Sequence, residues 1–118
     1  MDRLEFEDKL RAALPMTRES IDKILIESVN SNLKDGNPRG HRNLIIVMEE
    51  LSELSKEISK ELRGKGDPTG IIEELADVQL GIYYVQEIVG ISDEAVQKAM
   101  SVKMDRLCSV LHDEGRYQ

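Results

Sequence analysis

Residues 69–89, TGIIEELADVQLGIYYVQEIV, decide the fold. From Leu75 to Val89 the only charges are Asp77 and Glu87, and neither Lys nor Arg occurs. Leu75, Ala76, Val78, Leu80, Ile82, Tyr83, Tyr84, Val85 and Ile88 put apolar groups nearly all round a helical projection. That pattern belongs to a helix enclosed by others, central to a bundle. Asp77 is then expected to be enclosed too, and an enclosed acid without a partner costs free energy. Asp67-Pro68 supplies an N-cap and a first helical residue, and Gly90 supplies the stop.

The helix before it spans about Arg42 to Arg63, closed by Gly64 and Gly66. Leu44, Val47, Met48, Leu51, Leu54, Ile58 and Leu62 form its expected buried stripe. Glu57 and Glu61 are expected to point outward, with Lys56 and Lys60 as partners. Upstream, a short helix from about Arg3 to Leu14 stops at Pro15. A second, capped by Thr17, runs from about Arg18 to Leu33 with Ile21, Ile24, Leu25, Ser28 and Val29 on one stripe. LKDGNPRGH then reads as a loop, with turn dipeptides Asp35-Gly36 and Asn37-Pro38. Downstream, Ser92 caps a last helix with Asp93 and Glu94 in its first turn, reaching about His112 before a frayed tail.

Two acidic pairs sit on the two central helices: Glu50 with Glu53, and Glu74 with Asp77. The i, i+3 spacing points both carboxylates of a pair off one side of a helix. A glycine-marked turn between two helices folds them back antiparallel, so the pairs can face one another. Each like pair at about 4 Å costs roughly 4 kcal/mol at an effective dielectric near 20. A positive group is therefore expected among Glu50, Glu53, Glu74 and Asp77, and all-oxygen ligands suit Mg²⁺, with Mn²⁺ as a substitute. The bland alternative is four solvated surface acids. Zinc ligation is disfavoured because His41, His112 and Cys108 are the chain's whole stock of imidazole and thiol. A di-iron site of the Glu-x-x-His kind is excluded because neither histidine lies three residues after a Glu.

The 118 residues suggest a single all-α domain, 1–118. A net charge of −7 with no basic face argues against nucleic-acid binding. The single Cys108 fits a reducing cytosol, and no apolar run is long enough for a membrane span. The cytoplasm is the expected location. With no Trp and only Phe6 and three Tyr, the core is aliphatic and modest, so burial against a second copy is expected.

The motif Glu49-Glu50-Leu51-Ser52-Glu53, a spacer, then Glu74-Leu75-Ala76-Asp77 resembles the signature of the MazG-like, all-α nucleoside triphosphate pyrophosphohydrolases. RNLIIVMEELSEL looks like that family's first motif helix, and SDEAVQKAMSVKMDRL resembles the helix after the second motif. The resemblance covers about Arg42 to Leu107. It implies an antiparallel bundle of four to five helices, completed as a homodimer or homotetramer. It also implies Mg²⁺-dependent hydrolysis between the α- and β-phosphates of a ribo- or deoxyribonucleoside triphosphate, giving monophosphate and pyrophosphate. The alternative is a catalytically inactive, metal-dependent nucleotide-binding regulator on the same fold.

Under that resemblance Glu50, Glu53, Glu74 and Asp77 hold the metal, and Glu49 orients water or a ligand, or is an ordinary surface acid. Lys103 and Arg106 stand as phosphate-binding candidates against solvated helix residues, with Asp105 nearby. Arg42 and Asn43 lie where a ribose or base would be held, with N-capping as the competing role for Asn43. Tyr83 and Tyr84 read as core or interface residues before a stacking platform. Trp stacks on the base in some relatives and is absent here, so base specificity does not carry over.

Overall fold

A computed structural model describes residues 1–34 and 40–113, with side chains outside 32–34. The described residues form five α-helices: α1 (Arg3–Ala12), α2 (Arg18–Lys34), α3 (His41–Leu62), α4 (Pro68–Val89) and α5 (Asp93–Asp113). No strand occurs among them, so the chain is all-α. The expected turns at Asp35-Gly36 and Asn37-Pro38, and the tail after Asp113, lie outside the described residues.

The helix ends follow their capping chemistry. Thr17 Oγ1 accepts from the Ser20 amide at 3.2 Å, Asp67 Oδ1 from Thr69 at 3.2 Å and Ser92 Oγ from Ala95 at 3.1 Å. Each bond satisfies an amide that the first turn leaves without a helical partner. Gly64 ends α3 at φ 74°, and the Lys65 amide reaches back to the Lys60 carbonyl at 2.9 Å.

The chain divides into two compact units, Met1–Ile88 and the part from Val89 on. In the first, α3 and α4 run antiparallel. A Cβ added at Gly40 would meet Ile88 Cδ1 at 2.6 Å, one at Gly81 would meet both Val47 methyls at 3.2 Å, and one at Gly70 would meet Glu57 Oε2 at 3.0 Å. As the number rises along α3, its partner's number falls along α4. Gly40 also sits at φ 69°, a left-handed conformation that costs a residue with a Cβ and suits glycine. α2 lies against α4 through the Tyr84 hydroxyl, which donates to Ser28 Oγ at 2.8 Å, and through the Arg18 guanidinium, 3.5 Å over the Tyr83 ring. Leu25, Val47 and Val78 are the most buried apolar residues of this unit.

The buried face of α3 differs from the one expected. Of the expected stripe only Val47 is buried; Leu44 and Leu54 are half-buried, and Met48, Leu51, Ile58 and Leu62 are exposed. The stripe facing α4 is instead Asn43, Val47, Glu50, Leu54 and Glu57, all buried or half-buried. It shares Val47 and Leu54 with the expected seam but is turned by roughly 75° round the helix from it. The physical reason is the partner surface. α4 offers Gly70, Glu74, Asp77, Gly81, Tyr84 and Ile88 along one line, and its glycines leave room there for the Val47 and Glu57 side chains. Two more expectations change with this rotation. Glu57 is not outward: its side chain is 15% exposed, while Lys60 holds its Oε1 at 3.0 Å. Ile24 on α2 and Leu75, Leu80 and Ile82 on α4 are exposed rather than enclosed.

In the second unit, α5 has Val96, Cys108 and Leu111 half-buried and no buried residue.

Candidate metal centre

Facing stripes that carry acids at matched heights bring carboxylates together. Glu50 and Asp77 sit one turn beyond the Val47–Gly81 contact, and Glu74 follows one turn along α4. One oxygen each from Glu50, Glu74 and Asp77 lie within 4.8 Å of one another, and all three residues are half-buried. Three of the four expected ligands thus converge. Glu53 flanks them on α3, but it is exposed and its Oε1 takes an ion pair from Lys56 at 3.1 Å. Lys56 was an expected partner for Glu57 or Glu61 and serves Glu53 instead. Glu49 is exposed.

The electrostatics record the crowding. Glu50 is pushed up from an ordinary 4.5 to about 7, first by burial and then by the charge of Asp77, with Glu74 adding to it. Glu74 is raised too, by burial first and by Asp77 second. Burial disfavours the ionised form and so do like charges nearby, so both effects favour a proton at the cluster. Glu74 Oε2 is buried and has no hydrogen-bond partner. A buried acceptor without a donor costs free energy, and a hard cation among three carboxylates would remove that cost. The residues present therefore fit a divalent cation of the Mg²⁺ or Mn²⁺ class.

A cavity of about 340 Å³ opens beside the cluster, with Glu50 and Asp77 in its wall. Ser28 of α2, Arg42 and Asn43 of α3, and Tyr84 of α4 add polar groups, while Ile46, Val47 and Leu80 supply the apolar surface. Asn43 is only 5% exposed, and the N-cap position of α3 belongs to Gly40. Asn43 is therefore not the N-cap of α3, and it lines the cavity from within the helix. Tyr84 is both an interhelix residue and part of the cavity wall, whereas Tyr83 lies under Arg18. Lys103, Asp105 and Arg106 are exposed residues of α5 in the second unit.

Sequence reasoning missed Ser28 and Gly81 as parts of this site. Gly81 had a signal: a glycine inside an apolar helix marks a close backbone approach. Ser28 had none beyond its place on the α2 stripe. Compared with family models, curated proteins and solved structures, the chain finds no match.

Proposed function

We propose that this chain is a Mg²⁺-dependent nucleoside triphosphate pyrophosphohydrolase of the MazG-like kind, working in the cytoplasm as a homodimer or homotetramer of helical bundles. The observation that carries this is the convergence of Glu50, Glu74 and Asp77 within 4.8 Å across two antiparallel helices. Its orphaned Glu74 oxygen and its suppressed ionisation both ask for a cation. Water adds across the α–β phosphoanhydride, the bridging P–O bond breaks, and monophosphate and pyrophosphate leave.

A bound divalent cation would neutralise polyphosphate charge and acidify a water. Glu50, Glu74 and Asp77 are the residues that would hold it. Glu53 would join them on leaving Lys56, and Glu49 is proposed to orient water. Glu50, raised to about 7 when no cation is bound, must give up its proton to ligate one. The 340 Å³ cavity accepts the nucleoside end, with Asn43 and Arg42 offering hydrogen bonds to base or sugar. Lys103 and Arg106 stand as phosphate ligands.

The test is product analysis over a panel of ribo- and deoxyribonucleoside triphosphates, with Mg²⁺ and with EDTA. Metal-dependent pyrophosphate and monophosphate support the proposal and rank the bases. Orthophosphate release overturns the bond assignment. Mg²⁺-dependent nucleotide binding without turnover would instead support a nucleotide-binding regulator.

A further inference from the structure

α1 buries no residue, and Leu4 and Leu10 are exposed while Phe6 is half-buried. Its pairs Lys9–Glu5, at 3.3 Å, and Arg11–Asp8 close within the helix. Among the described residues, the ion pairs that leave α1 start at Arg3. Arg3 Nη2 meets Asp67 Oδ2 at 2.7 Å, and Nη1 lies 3.9 Å from Glu73 Oε2. The seat is Gly70, which is buried. A Cβ there would stand 3.0 Å from Glu57 Oε2, 3.1 Å from Asp67 Oδ2 and 3.2 Å from Arg3 Nη2. The guanidinium and the two carboxylate oxygens thus crowd the space that a side chain at 70 would take. Glu57 Oε2 is buried without a hydrogen-bond partner beside it, adding to the pull on a cation.

We infer that α1 is a releasable strap whose latch is Arg3, seated over Gly70 among Glu57, Asp67 and Glu73 at the start of α4. This stands apart from the function proposed for the acidic cluster. The latch is ionic and partly wet: the Arg3 and Asp67 side chains are 42% and 46% exposed. Salt therefore screens it. The 10 residues of α1 fall below the length of about 12–15 at which isolated helices begin to hold. Release and melting of α1 are then one event. The segment joining it to α2 starts extended at Ala13 (φ −75°, ψ 147°) and contains Pro15, so melting need not propagate.

Amide hydrogen exchange on the full chain tests this, comparing the parent at low and molar salt with Arg3→Ala, Arg3→Lys and Phe6→Ala. Residues 3–12 should exchange about fivefold faster in Arg3→Ala and in molar salt, the upper end for a half-exposed ion pair. Arg3→Lys should fall between, and α3 and α4 should keep their rates. Unchanged exchange of α1 in Arg3→Ala would overturn the latch, as would loosening by Phe6→Ala alone. Equal acceleration in α3 and α4 would also overturn it, because Arg3 would then support the whole unit.

Discussion

Glu50 is the residue on which the chemistry and the stability of the site meet. Its folded-state pKa of about 7 lies above the ordinary 4.5, so the folded chain holds this proton more tightly than the unfolded chain. The resulting stabilisation is fully present below 4.5 and is lost as pH rises through 7. In EDTA, the melting temperature should fall over that window, and Glu50→Gln should flatten the fall. With millimolar Mg²⁺ the slope should weaken or reverse, because ligation needs the deprotonated carboxylate. A metal-free melting curve that is level over this window in both proteins would overturn the raised pKa of Glu50. Asp77→Asn keeps the shape and removes a ligand charge. It should lower turnover at least a hundredfold while far-ultraviolet circular dichroism stays unchanged, and a variant retaining most activity would exclude the cluster as the catalytic centre. Loss of one carboxylate should also shrink the Mg²⁺-induced rise in melting temperature.

The pairing of α3 with α4 rests on glycines as much as on leucines. Gly81 lets the Val47 methyls approach to 3.2 Å from where a Cβ would stand, so substitution pushes the helices apart where Glu50 and Asp77 must meet. Gly81→Val should destabilise by about 1–3 kcal/mol through overpacking. Val47→Ala in the same chain should restore part of that loss, a coupling that a double-mutant cycle in urea reads directly. Additive effects would mean that Gly81 and Val47 do not share the contact. The same contact explains what was legible in advance. Helix existence and ends were readable because caps such as Thr17, Asp67 and Ser92 act locally. The convergence of Glu50, Glu74 and Asp77 was readable because i, i+3 spacing and an antiparallel turn are short-range facts. The rotation of α3 was not: apolar periodicity favoured the Leu44–Leu62 seam, while the glycine line of α4 selected its neighbour. Glu57 was misplaced by that rotation, and Ser28 depended on how α2 crosses α4, which no local pattern encodes.

The seam that α4 does not cover leaves an apolar stripe exposed on the first unit. Met48, Leu51, Ile58 and Leu62 are 69%, 50%, 50% and 84% exposed, with half-buried Leu44 at their head. Their spacing of three, four and seven residues lines one helix face, the geometry by which helices pack along a common axis. A long apolar stripe in water is the usual mark of a protein–protein surface. A second copy is the partner of matching chemistry, since an isologous contact sets the same stripe against itself. Sedimentation should therefore give two or four times the chain mass. Leu51→Glu together with Ile58→Glu puts like charges on both sides of such a contact and should shift the mass toward one chain with helicity retained. The acidic cluster lies on the other stripe, so Mg²⁺ binding should survive that shift if the site is complete within one chain. If binding is lost together with assembly, residues of the neighbouring copy complete the site. A parent chain that sediments as a monomer would leave the seam without a self-partner and remove the oligomer from the proposed function.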